Sequence, residues 1–115
     1  MICILGFYKR KPGLTHEQFL SHWKDVHAPL AMNTPALAKY IRKYVQHQLD
    51  DAPVLPGVVS LGFDGFSETW LDSVEEYTAM RNEPLFKELL GPDVHLFIDM
   101  TASRVMMYDT PVVIK

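Results

Sequence analysis

The chain has 115 residues, 48% apolar and 22% charged, which suits a single globular domain over residues 1–115 with enough apolar mass to bury a core. Its formal net charge of −3 argues against a nucleic-acid or anionic-membrane surface, and the one basic cluster, Lys9-Arg10-Lys11, is too short to overturn that. The single cysteine, Cys3, excludes an intrachain disulfide, no apolar run reaches membrane-spanning length, and MICILGFYKR turns basic too soon for a secretory leader, so a reducing, cytoplasmic setting is expected.

Ile2 to Lys9 is apolar on both alternating faces, the pattern of a strand covered on both sides, and Lys11-Pro12-Gly13 ends it. Cys3, set among Ile2, Ile4 and Leu5, reads as a buried small hydrophobe rather than a nucleophile. Thr15 is a good helix N-cap, and Gln18 completes a capping box. Phe19, Trp23, Val26 and Leu30 then share one helical face, with Glu17, Gln18, Ser21, Lys24 and Asp25 opposite. Pro29 removes a backbone donor, so this helix is expected to end or kink near His27-Ala28. Thr34 to Lys39 reads as a short helical turn begun by Pro35.

A second strand is expected from about Tyr40 to Leu49, then a loop from Asp50 to Gly57, then a third strand over Phe63 to Leu71. Ser73 caps a second helix with Glu75 and Glu76 in its first turn and Val74, Tyr77 and Met80 inward. Glu83-Pro84 kinks or interrupts it before Leu85, Phe86 and Leu89, Gly91-Pro92 closes it, and a last strand spans roughly Ala102 to Asp109. The order β-α-β-β-α-β predicts an α+β fold of ferredoxin-like topology, a four-stranded antiparallel sheet with both helices on one face. Yet the strands carry large side chains on both faces: Cys3, Leu5 and Phe7 against Ile2, Ile4 and Tyr8, Phe66 and Trp70 against Phe63 and Leu71, Val105 and Met107 against Met106 and Tyr108. A face so apolar needs a partner, and the simplest is a second copy, giving a homodimeric α+β barrel.

Candidate chemistry centres on His27, on the flank of the apolar helix face near an expected helix C-terminus. It reads as a general acid or base, or as a capping or satisfied core histidine. Tyr44 shares a strand face with Tyr40, Gln46 and Gln48, and His47 takes the other. The Tyr44 hydroxyl can polarise a carbonyl or phenolate, or simply pack in the sheet; His47 reads as an exposed strand residue or a base. Asp64 and Glu68 are i, i+4 on the third strand with Phe66 and Trp70 interleaved. They read as carboxyls of raised pKa among aromatics or as salt-bridged carboxylates, with Arg42 or Arg104 as partners. His16, His22 and His27 are spaced by six and five, no CxxC occurs, and no phosphate loop or dinucleotide fingerprint is present, so no metal and no cofactor are expected; a haem ligand at His27 or His95 is the one opening left.

Residues 9–31, KRKPGLTHEQFLSHWKDVHAPLA, resemble the signature of the EthD family: a strand ending in K-P-G, a helix with a central aromatic, and a His-x-Pro-Leu exit. YVQHQ at 44–48, DGFSETWLDS at 64–73 and FID at 97–99 match as well, and the loop from Asp50 to Leu61 does not. The resemblance implies a dimeric α+β barrel, nearest to the fungal polyketide decarboxylases, dehydratases and cyclases. It implies a cofactor-independent lyase or cyclase acting on a small aromatic or polyketide substrate, with His27 at the family's H-x-P-L position and Tyr44 at a tyrosine position its relatives use. The expected catalytic set is His27, Tyr44, His47 and Asp64, and the expected substrate contacts are Phe7, Trp23, Tyr40, Phe66, Glu68, Trp70 and Phe97, with the ring stacked on Phe66 and Trp70. The alternatives are a muconolactone-type isomerase, a cofactor-free monooxygenase, or a non-catalytic dimeric binding or stress-response barrel. Isomerase relatives place a second histidine in the loop before the third strand; here that loop, DDAPVLPGVVSLG, has none.

Overall fold

The computed structural model describes residues 1–50 and 55–115, except for the side chains of residues 105–107. Four strands, β1 (Ile2–Tyr8), β2 (Lys43–Gln48), β3 (Gly65–Leu71) and β4 (Arg104–Asp109), form one antiparallel sheet in the order β2-β3-β1-β4. In the ladder Ile2 stands opposite Leu71, Tyr8 opposite Gly65, and Tyr44 opposite Thr69. The register between β1 and β4 slips between Leu5 and Gly6. The described helices pack on one face, which is the ferredoxin-like α+β arrangement.

The first helix begins as the sequence dictates. Thr15 accepts from the Gln18 backbone N–H, and Gln18 returns a bond to the Thr15 N–H, opening α1 (His16–His22). It does not end at His27-Ala28. Instead it widens into a π turn over Trp23–His27, where the Ala28 N–H reaches back to the Trp23 carbonyl, and runs on as α2 (Ala28–Met32). Proline lacks the donor a regular turn needs and crowds the carbonyl four residues back; a wider turn absorbs both defects without breaking the helix. After the short α3 (Pro35–Ala38), bonds from Tyr40 to Leu37 and from Ile41 to Ala38 keep the chain turned. So β2 starts at Lys43, and Tyr40 is a turn residue rather than a strand residue.

The second half repeats this device. Ser73 caps α4 (Val74–Asn82) by accepting from the Glu76 N–H, and Glu83 adopts the extended conformation a following proline favours. A π turn over Phe86–Leu90 follows, and Gly91-Pro92 opens α5 (Gly91–Phe97) rather than closing the element. In both halves a five-residue π turn stands directly before a small residue and a proline. Val74, expected inward, is 38% exposed, while Met80 is buried. Of the expected loop at 50–57, residues 51–54 lie outside the described residues.

Ile2, Ile4 and Leu71 face the helices and pack with Leu37, Met80 and Leu90; Phe19, Trp23, Phe97 and Ile98 form a second buried group. Two glycines make room on this face. A Cβ at Gly65 would overlap the Trp23 indole, and one at Gly6 would overlap the Tyr8 ring. Alternation turns Leu5, Phe7, Val45, His47, Phe66 and Trp70 to the other face, where no described helix covers them and they remain partly exposed. Cys3 is buried in the sheet.

Candidate active site

Between sheet and helices lies a cavity of about 360 Å³. Its floor is Ile4, Tyr8, Tyr44, Ser67 and Thr69, from three strands. Trp23 and His27 enter from the first π turn, Phe86 and Leu90 from the second, and Tyr77, Met80 and Arg81 from α4. Both wide helical turns therefore border the same space.

His27 is held by a residue the sequence reading did not single out. Its Nδ1 lies 2.8 Å from Asp93 Oδ2, and His22 Nε2 lies 2.9 Å from Asp93 Oδ1. A carboxylate only accepts, so each facing imidazole nitrogen carries its proton and donates. That fixes the His27 tautomer with Nε2 as the basic nitrogen, and Nε2 has no partner among the described residues. Phe97 packs against both rings, at 4.6 Å from His22 and 5.2 Å from His27. Burial pushes the His27 pKa down; the hydrogen bond and charge of Asp93 oppose this, His22 adds to it, and the result lies below the ordinary histidine value. His27 is thus a neutral base at neutral pH.

Across the cavity stand two phenols. Burial pushes Tyr44 up to about 12 and also raises Tyr8, so both keep their protons. Gln46 Nε2 donates to the Tyr44 oxygen at 3.2 Å and to the Trp23 carbonyl at 2.9 Å, tying the phenol to the π turn. Ser67 donates to Tyr8 at 3.2 Å. Each phenol oxygen accepts from a neighbour and retains an O–H to offer.

The other expected site residues lie elsewhere. Asp64 is a buried anchor just before β3. It accepts from the Arg10 N–H, Arg10 Nη1 and His16 Nδ1, each at 2.7 Å, with Lys9 at 3.9 Å. Burial raises its carboxyl, but the bonds from Arg10 and His16 outweigh that and hold it below the usual carboxylate range. The basic cluster is therefore spent internally, Lys11 included, which donates to the His95 carbonyl. His47 and Glu68 lie on the uncovered sheet face, 2.5 Å apart; His47 stacks on Phe66 at 4.0 Å, and Trp70 donates to Glu68 at 3.3 Å. Arg42 pairs with Asp72 instead of either acid. Phe7 stacks on Phe66 on that same face. Tyr40 donates to Glu83, and Phe97 is wholly buried behind His27. Only His27, Tyr44 and Trp23 of the expected set meet in the cavity. A ring stacked on Phe66 and Trp70 would be separated from His27 by the sheet itself.

No group of three or more His, Cys, Asp or Glu side chains among the described residues is arranged to hold a metal, and no described helix is long and apolar enough to cross a membrane.

Residues 11–101 match the EthD domain. The chain belongs to the EthD family. The dehydratase ustZ of Ustilaginoidea virens is 28% identical over 111 residues, covering 90% of this chain and 78% of that protein. A decarboxylase of Claviceps purpurea is 31% identical over 113 residues, covering 90% and 79%. Among solved structures, an EthD family protein from Bacillus halodurans superposes with a TM-score of 0.71 at 20% identity, covering 97% of this chain and 99% of that one. In this EthD chain the H-A-P-L run places its histidine at the end of the π turn, two residues before the proline that the wide turn accommodates.

Proposed function

We propose that this EthD protein is a cofactor-independent lyase or cyclase that takes a small aromatic, polyketide-type molecule into the cavity. His27 Nε2 transfers the proton, and the Tyr44 and Tyr8 hydroxyls hydrogen-bond the oxygen that gains negative charge. The observation that carries this reading is the buried His27–Asp93 pair, with its free nitrogen in a cavity that also presents two protonated phenols. Losing carbon dioxide from an aromatic β-keto acid leaves an enolate, which needs charge stabilisation and then protonation at carbon by a His27 imidazolium whose Nε2 has first taken its proton from an acidic substrate hydroxyl or from water. Losing water, or closing a ring, begins with removal of an acidic proton beside a ketone and passes through the same enolate. One base and two neutral donors serve each of these steps. The relatives named decarboxylase and dehydratase support a lyase over an isomerase. An open cavity supports an enzyme over a barrel filled by its own side chains.

The test is His27→Ala, assayed on a panel of aromatic β-keto acids and hydroxylated polyketide acids. Turnover is expected to fall by about 100- to 10,000-fold while the melting temperature stays within a few degrees. Full activity in that variant makes His27 a structural residue and removes the proposal.

A further inference from the structure

The cavity wall has an unusual charge pattern for a chain of net charge −3. Among the described residues that line it there is no Asp and no Glu, and Arg81 is the only side chain with a permanent charge. Asp93 stands behind His27, with each of its oxygens taken by an imidazole. Arg81 is exposed, so it sits where the cavity meets solvent. Its guanidinium is positioned without an acidic partner among the described residues. Nη1 donates to the Tyr77 hydroxyl at 3.1 Å, and Cζ lies 5.8 Å from the Tyr77 ring and 5.3 Å from the Phe86 ring. Both rings line the cavity themselves. Ring contacts of this kind hold a guanidinium in place while leaving its outer N–H groups unsatisfied, ready for a planar, bidentate acceptor.

We propose that the cavity selects aromatic molecules bearing a carboxylate, which Arg81 anchors at the mouth while the ring body lies against Phe86, Met80 and Leu90. This rests on the reading above that the cavity takes an aromatic molecule, and adds the side chain that selects its acid form. An apolar wall cannot favour an acid over its amide. A guanidinium in a partly dry mouth with no competing acid does.

The experiment measures binding to the intact protein by calorimetry at pH 7.5, using 2,4-dihydroxybenzoate and the isosteric neutral 2,4-dihydroxybenzamide. The acid is expected to bind about tenfold or more tightly than the amide, the range a charge-assisted hydrogen bond supports. Arg81→Gln removes that preference and leaves the amide affinity unchanged, and Arg81→Lys restores part of it as a point charge. The preference also shrinks as salt is added. Equal binding of acid and amide by the native protein, or an Arg81→Gln variant that weakens both alike, overturns the inference. The amide arm tests the cavity by itself: if neither probe binds, the aromatic-cavity reading falls and the anchor falls with it.

Discussion

Asp93 does for His27 what composition could not announce. One carboxylate holds two imidazoles, fixes both tautomers and keeps the free nitrogen of His27 turned away from it. Asp93 also opposes the burial that depresses His27, so its removal has a signed consequence. Asp93→Asn should move the acidic limb of the rate profile, where His27 gains its proton, to lower pH and reduce turnover by at least about tenfold, because the imidazole loses its fixed tautomer. A pH–rate profile read beside the melting temperature checks this; a purely structural Asp93 would lower stability and leave the limb in place. Stability follows the same group. The folded His27 pKa lies below the ordinary value, so as pH falls through about 6.5 the unfolded chain binds a proton that the native state does not. Stability is lost progressively between that point and the folded pKa, and the full loss remains at lower pH. The signal for Asp93 was present in GPDVHLF: Asp93 and Phe97 are i, i+4, so an acid sits on the buried face of a helix, and buried acids are paired. Tyr8 was legible only as a strand aromatic. Its place on the cavity floor depends on Gly6, whose missing side chain lets the ring lie down.

At the scale of elements, the helix starts were readable and the helix ends were not. Thr15 and Ser73 announce themselves because capping is local chemistry within four residues. The proline runs read as ends, kinks or interruptions because proline in a regular turn costs about 3 kcal/mol or more. A π turn removes that conflict, and nothing in residue propensity reports it. Side by side, WKDVHAP and FKELLGP do: each is an aromatic, four residues, a small residue and a proline. The wide turn amounts to one extra residue in an otherwise continuous helix. Deleting Lys24, which is exposed, should therefore restore a regular turn, leave far-ultraviolet circular dichroism nearly unchanged, and cut turnover by about 100-fold or more as His27 is carried out of register with Asp93. A deletion variant that retains full activity would show that the wide turn does not position the base.

For the whole molecule, alternation along the strands was enough to say that both sheet faces are apolar. It was not enough to say on which side chemistry belongs, because Phe66 and Trp70 look as good a platform as Trp23 and Phe86 until the helices are placed. The uncovered face, with Phe7, Val45, Phe66 and Trp70 partly exposed, supports pairing with a second copy through the sheets. Light scattering after size exclusion should give about twice the chain mass at micromolar concentration, and Phe66→Asp, which places a charge at the centre of that face, should give monomers. A native chain that stays monomeric there removes the barrel. Pairing of this kind has a stoichiometric consequence. The described walls of the cavity belong to this chain and lie on the sheet face opposite the one proposed to pair. Each subunit then carries its own complete chemistry, and association shields a surface without assembling a site. Mixed dimers of one native and one His27→Ala subunit, isolated by two affinity tags, should turn over at half the native rate per dimer with an unchanged KM.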